Sequence, residues 1–326
     1  MNAALLRQQI FTADDYEQLT LEVFRHQARH VAVYREFVQL LGINPQAVTH
    51  TSQIPYLPAG LFKTHRILED GLEPQQIFTS SGTTGQVTSQ HLVADVSLYE
   101  ESFMRGFELF YGDVRNYVVL ALLPSYLERE GSSLVYMADV LIKRSGRTES
   151  GFYLHNLAEL SALLRRLDAA GQPVLLLGVT YALLDLAEQF AQPLRHVIIM
   201  ETGGMKGKRR EMIREEVHGI LQQAFGVPHI HSEYGMTELL SQAYSKGEGI
   251  FSCPPWMRIH IREMNDPLSV APPGKTGGVC ITDLANLHSC SFIATQDLGK
   301  LHSNGHFEIL GRFDHSDVRG CNLMVD

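Results

Sequence analysis

The chain has 326 residues, of which 44% are hydrophobic and 19% charged, and it carries a formal net charge of −9. That size fits one large domain or two smaller ones built on a substantial buried core. The acidic balance argues against a nucleic-acid partner, which needs clustered Lys and Arg, but leaves room for a phosphorylated small ligand held by backbone amides.

The first eleven residues contain one arginine and no long apolar stretch, so no signal peptide is expected. The longest apolar run, residues 118–123, falls far short of the ~20 needed to span a bilayer. A cytoplasmic chain without a transmembrane segment is the expectation. The four cysteines (Cys253, Cys280, Cys290, Cys321) form no CxxC pair, and reduced thiols are expected.

In chain order, residues 16–39 read as a helix, with Leu19, Val23, Phe24, Ala28, Val31 and Val33 close to helical period. Residues 54–61 hold two prolines and a glycine and mark a turn. Strands are predicted at 117–123, 173–177 and 196–200. Helices are predicted at 157–167, 181–190 and 209–225, the last with Ile213, Val217, Ile220, Leu221 and Ala224 in register. Strands alternating with helices imply an α/β fold with a mostly parallel sheet flanked by helices, because parallel strands need crossovers. After Pro228 the short apolar runs at 259–262, 278–284, 291–295 and 307–310 suit an antiparallel β subdomain near the C-terminal end.

Three segments carry candidate chemistry. The first is Thr79-Ser80-Ser81-Gly82-Thr83-Thr84-Gly85, where glycines permit a tight turn and hydroxyls add donors for phosphate oxygens. It is not a Walker A loop, since no Gly-Lys-Ser/Thr follows, and on composition alone it also suits an ordinary loop. The second is His231-Ser232-Glu233-Tyr234-Gly235-Met236-Thr237-Glu238. Tyr234 offers a face for adenine, Gly235 a close turn, Thr237 a phosphate contact, and Glu238 a ligand for Mg²⁺. A competing reading takes His229, His231 and Glu233 as a metal cluster, although no further ligands at zinc spacing follow. The third is Thr295-Gln296-Asp297-Leu298-Gly299 with Gly311-Arg312 beyond it. Asp297 can accept both hydroxyls of a ribose, and Arg312 can donate to those hydroxyls or to a phosphate.

Together and in this order, the three segments resemble the adenylate-forming superfamily of acyl and aryl ligases, over about residues 78–321. The resemblance implies ATP and Mg²⁺. The first loop would handle the triphosphate, the Tyr-Gly-x-Thr-Glu segment the adenine and metal, and the Asp297 segment the ribose. Gly203-Gly204 fits the glycine-rich turn on the adenine side, and equally an ordinary strand-to-helix turn. It also implies a large adenylate-forming N-terminal-type domain plus a small C-terminal β subdomain. Residues 1–226 would be the nucleotide- and acyl-binding region, and 227–312 the β-rich part completing the adenylate site.

Two departures point to a branch. The usual lysine after the phosphate loop is missing, and the chain ends at Asp326, so the customary mobile C-terminal domain with its lysine is expected to be absent or vestigial. Both departures resemble the acyl-protein synthetase (LuxE-like) component of fatty acid reductase. In that branch a cysteine in the short C-terminal segment, here residues 313–326, receives the acyl group. Cys321, in Arg319-Gly320-Cys321, is the matching candidate, since a thiolate attacks an acyl-phosphate anhydride and leaves a thioester. A buried inert thiol is the alternative. Lys63 is a candidate for the missing cation, against an ordinary surface lysine. The resemblance implies a carboxylic, in particular a fatty, acid as substrate and an acyl reductase or other acyl-accepting protein as partner. Alternatives are an acyl- or aryl-CoA ligase of the phenylacetate type, or a non-catalytic binding protein on the same fold. Phe103, Phe107, Phe110 and Leu177 are candidates for an acyl pocket, though helical aromatic spacing also means core.

Overall fold

The computed structural model describes residues 2–80, 87–124, 131–203, 210, 212–266 and 268–313. The N-terminal helices are α1 (Ala3–Gln9), α2 (Tyr16–His30) and α3 (Ala32–Leu40). Asn2 and Asp15 cap the first two by accepting from the amides of Leu5 and Gln18, each at 3.0 Å. The single helix expected over 16–39 is broken at Val31, which is extended (φ −106°, ψ 104°) and bridges to Glu69. The break rotates the buried face, so α3 buries Tyr34 and Val38 while Val33 is only half-buried. Strand β1 (Leu57–Pro58) follows the Pro-rich turn, and β2 (Gln76–Thr79) pairs with β3 (Gln90–Val93) as a separate antiparallel hairpin.

The α/β part runs α4 (Val96–Tyr111), β4 (Val118–Leu122), α5 (Ser133–Ser145), β5 (Gly151–Phe152), α6 (Leu157–Ala169), β6 (Val174–Val179), α7 (Thr180–Gln189), β7 (Val197–Thr202) and α8 (Arg214–Phe225). Every residue of β4 and β6 is buried, which is why both read as unbroken apolar runs rather than alternating ones. Helix α8 begins later than its periodicity suggests. Ile213 is its extended N-cap and is 69% exposed, and the buried stripe is Val217, His218, Leu221 and Phe225. Gly226, at φ +64°, closes the helix in the left-handed conformation.

The remaining strands are β8 (His231–Tyr234), β9 (Ala243–Ser245), β10 (Ile250–Ser252), β11 (Met257–Arg262), β12 (Thr276–Asp283), β13 (Phe292–Leu301) and β14 (Phe307–Arg312). Among the described residues a twelve-stranded sheet runs in the order β11-β12-β13-β14-β10-β9-β8-β7-β6-β4-β5, with β1 added alongside β13. The pairs from β5 to β8 are parallel, and those from β8 to β11 are antiparallel. The change of sense at β8 matters for the site. It sets the carboxyl ends of β6, β7 and β8 beside the long antiparallel strands β13 and β14. Among the described residues no helix is long and apolar enough to cross a membrane.

Candidate active site

A cavity of about 1000 Å³ opens where the two halves of the sheet meet. Its walls include Thr180, Glu201, Thr202 and Gly203 at the ends of β6 and β7, Glu233 to Glu238 at and after the end of β8, and Asp297 and Arg312 from β13 and β14. Open parallel sheets bind ligands at the carboxyl ends of their strands, where loops leave a crevice. Ten of the described candidates line this one cavity: Lys63, Thr79, Ser80, Gly203, Tyr234, Gly235, Thr237, Glu238, Asp297 and Arg312. Ser81, Gly82, Thr83, Thr84, Gly85, Gly204 and Cys321 lie outside the described residues.

Asp297 organises one end. It lies beyond the apolar run read at 291–295, yet sits inside the ten-residue strand β13, in register with Arg312 of β14. The Tyr234 hydroxyl donates to its Oδ2 at 2.7 Å, and Arg312 Nε donates to Oδ1 at 3.0 Å. Asp297 is buried, while the Arg312 side chain is 73% exposed, so the pair's stabilising Coulomb term is discounted by solvent. The carboxylate retains further lone pairs for a ligand. Phe251 and Phe307 meet the Tyr234 ring edge-on at 6.0 Å each and hold it in place. Burial drives the Tyr234 hydroxyl well above its ordinary pKa, and the Asp297 charge adds to the effect, so it stays a donor.

The β2–β3 hairpin forms another wall. Ser80 is tied to Ser89: its Oγ accepts from the Ser89 amide at 2.9 Å, and its own amide donates to the Ser89 carbonyl at 3.1 Å. Thr79 is tied to Gly131 by an amide–carbonyl bond of 2.7 Å. Gly131, at φ +82°, needs its glycine, because a Cβ there would lie 3.0 Å from Thr79 Oγ1. His91 of β3 is fully enclosed. Its Nδ1 donates to the Thr237 carbonyl at 2.9 Å, and its Nε2 bonds Ser289 Oγ at 3.0 Å. Burial pushes this imidazole down to about 4, against the Thr237 carbonyl's pull, so it is neutral at pH 7.

Glu238 is buried, which pushes its carboxyl up, with hydrogen bonding from Ser89 opposing the shift. Its backbone is fixed from below: Asn286 Nδ2 donates to the Glu238 carbonyl at 2.8 Å. Buried Asp283 accepts from the Leu240 and Ser241 amides at 2.8 and 2.9 Å and from Ser241 Oγ at 2.6 Å. Lys63 ends a short 3-10 helix at the cavity rim and is exposed. Gly203 follows β7 at φ +71°, a left-handed conformation that favours glycine.

Two carboxyls escaped the sequence reading as site groups of this kind. Glu201 on β7 accepts from Ser232 Oγ at 2.8 Å and Thr180 Oγ1 at 2.9 Å, with His218 and Arg214 at 3.6 and 3.8 Å. Burial works to raise it, but His218, Arg214 and Ser232 together hold it below the usual carboxylate range. Glu233 on β8 has only the Thr202 hydroxyl donating to its Oε2 among the described residues, and burial, helped by the Glu201 charge, lifts it to about 7. No periodicity announces a single buried Glu, since its burial depends on strands joined only in three dimensions. The competing metal cluster does not assemble. His231 Nδ1 meets the Tyr111 hydroxyl at 3.2 Å, and no group of three His, Cys, Asp or Glu suited to a metal exists among the described residues. Phe103, Phe107 and Leu177 are fully buried in the core, and none of them, nor Phe110, lines the cavity. The thiols of Cys253, Cys280 and Cys290 are each raised to about 12 by burial, as suits inert cysteines.

No family model matches the chain. Over 70 residues, 21% of this chain and 60% of the relative, it is 36% identical to the long-chain-fatty-acid–luciferin-component ligase of Photorhabdus luminescens. Among solved structures, 2-hydroxyisobutyryl-CoA ligase in an open conformation, in complex with 2-HIB-AMP and CoA, superimposes with a TM-score of 0.66 at 12% identity. That match covers 94% of this chain and 78% of the other. ATP-bound MatB from Rhodopseudomonas palustris gives a TM-score of 0.55 at 17% identity, covering 72% of this chain and 47% of MatB. The chain thus matches about half the length of MatB, and it shares its fold with that protein and with 2-hydroxyisobutyryl-CoA ligase.

Proposed function

We propose that this protein activates a carboxylic acid with ATP and passes the acyl group from the resulting acyl-adenylate to coenzyme A. The observation that carries the reading is the convergence of Thr79-Ser80, Tyr234 to Glu238, and the Asp297–Arg312 pair on one cavity, although they lie far apart in sequence. Asp297, oriented by Tyr234 and Arg312, would accept the ribose hydroxyls. Thr79 and Ser80, which begin the Ser/Thr/Gly-rich segment, would stand by the phosphates. Glu238 would hold Mg²⁺, and the donor set fits: Mg²⁺ commonly takes one or two carboxylates and completes its shell with phosphates and water. Mg²⁺ would supply neutralisation of phosphate charge. The Thr237 hydroxyl and Lys63 are further candidates to position phosphate or carboxylate oxygens.

In the first step a substrate carboxylate oxygen bonds to the α-phosphorus of ATP while the α–β anhydride breaks and pyrophosphate leaves. In the second a thiolate bonds to the acyl carbon and AMP leaves. Positioning and charge stabilisation are what the chain itself contributes. The likeness to a CoA ligase structure favours coenzyme A as acceptor over a protein thiol. A second reading keeps Cys321 as acceptor, with a fatty acid as substrate and an acyl reductase as partner. It is favoured by the match to the Photorhabdus luciferin-component ligase.

Pyrophosphate release over a panel of carboxylic acids, with and without coenzyme A, tests both. Continuous turnover on adding coenzyme A is the expected result. A single burst that leaves acyl groups on wild type but not on Cys321→Ser would establish the second reading instead. No release with any acid would contradict both and leave a non-catalytic binding protein.

A further inference from the structure

The cavity has a polar wall that the nucleotide reading leaves unused. Strand β8 alternates its side chains, so Tyr234 points to Asp297 while Glu233 and the Gly235 position share the other face. The register Glu233↔Tyr244 and Tyr234↔Ala243 sets Gly235 opposite Gln242. A Cβ at residue 235 would lie 2.5 Å from Glu233 Oε1 and 3.5 Å from Gln242 Cγ, so both side chains converge over that glycine. Gln242 is 6% exposed, lines the cavity, and has a buried Oε1 with no hydrogen-bond partner among the described residues. Native proteins seldom leave such an atom unpaired unless a ligand or water completes it. Tyr99, Ser132 and Ser133 extend the same wall from α4 and α5.

We propose that this wall receives the acyl end of the substrate, and that the acid carries a hydrogen-bonding substituent, a hydroxyl or amino group, which pairs with Gln242 and Glu233. The proposal rests on the acid-activation reading and narrows it. A bare alkyl chain would bury the Gln242 amide oxygen against methylene groups and press on the Glu233 carboxyl, leaving polar groups unmatched. Sites built to bond a substrate hydroxyl or amine reject analogues that lack it far more strongly than apolar pockets discriminate by size. Gln242 and Glu233 are thus specificity-determining residues, with Thr202 holding Glu233 in place.

The test is kcat/KM for pyrophosphate release with matched acids of equal length, unsubstituted, hydroxylated or aminated. Wild type should favour one substituted series by at least about tenfold, and Gln242→Leu should bring that ratio toward unity mainly through KM. Glu233→Gln separates the two sources: it should penalise the amino series and spare the hydroxyl series if the carboxylate pairs with an ammonium. Equal or better use of the unsubstituted acids by wild type overturns the proposal, as does a ratio unmoved by Gln242→Leu. Calorimetric titration with ATP distinguishes the failures. ATP bound without preference among acids removes only the polar-wall assignment, whereas no ATP bound removes the activation reading with it.

Discussion

Asp297 shows what a single side chain contributes here. Its two oxygens are held by different strands, Oδ2 by Tyr234 and Oδ1 by Arg312, so its direction is set before any ligand arrives. Asp297→Asn keeps the shape but halves the acceptor capacity and removes the charge. We expect the dissociation constant for ATP to rise by about tenfold or more, the scale of a charge-assisted hydrogen bond, with an unchanged circular dichroism spectrum. Unaltered ATP affinity would remove Asp297 from the site. Glu233 gives a second residue-scale prediction. Its folded pKa of about 7 lies above the ordinary carboxylate value of 4.5, so the native state binds the proton more tightly than the unfolded chain. That contribution is fully present below pH 4.5 and is lost as pH rises through 7, on the order of 3 kcal/mol. Glu233→Gln should therefore gain stability relative to wild type between pH 5 and pH 8 in urea titrations. Parallel curves would show that the carboxyl is not held protonated. Asp297 was legible in sequence because an Asp-Leu-Gly run with a distant Gly-Arg is distinctive in company. Glu201 and Glu233 were not legible as a buried pair, because their partners Thr180, Thr202 and His218 are fixed only by strand register.

Among the elements, the β2–β3 hairpin and strand β13 bear most directly on the cavity. His91 links the hairpin to Thr237, one residue before Glu238, and so keeps the Ser80–Ser89 end of the hairpin in step with the metal-ligand candidate. Its folded pKa of about 4 lies below the ordinary 6.5, so the unfolded chain takes up a proton that the native state refuses. The resulting stability is present above pH 6.5 and is lost as pH falls through 4, on the order of 3 kcal/mol. Wild type should lose more stability than His91→Asn over that interval, as read by chemical denaturation at several pH values. In β13 the register shifts between Leu298 and Gly299, two residues from Asp297. A Cβ at 299 would meet the Glu308 carbonyl and Val279 Cγ2, each at 2.6 Å. Gly299→Val should cost about 1–3 kcal/mol through overpacking and raise KM for ATP by displacing Asp297. Full stability with unchanged KM would mean that the bulge absorbs the side chain. Periodicity found these elements unevenly. The short strands after Pro228 were visible as apolar runs, but the run read at 291–295 continues to 301, because a strand passing over the cavity carries polar residues such as Gln296 and Asp297. The break at Val31 was invisible, since the apolar spacing continues through it and only the bridge to Glu69 interrupts the helix.

At the scale of the whole molecule, the parallel strands supply loops at their carboxyl ends, and the antiparallel strands supply a wall that carries Asp297 and Arg312. Both halves line the cavity. This explains why the order of three separated motifs was informative when each segment by itself was weak: the sheet topology turns sequence order into position around one cavity. The acyl end was the least legible part. Phe103 and Phe107 have the spacing of a helix face and pack into the core, whereas the polar wall of Glu233 and Gln242 arises from a hairpin register that no local pattern reveals. The central claim is that this cavity joins ATP to a carboxylate. Acid-dependent exchange of labelled pyrophosphate into ATP measures that step without reference to any acceptor. The account predicts exchange by wild type with a hydroxy- or amino-substituted acid, its loss in Glu238→Gln, and its weakening at limiting ATP in Asp297→Asn. Absence of exchange in a wild-type protein that binds ATP, over the whole acid panel, would contradict it.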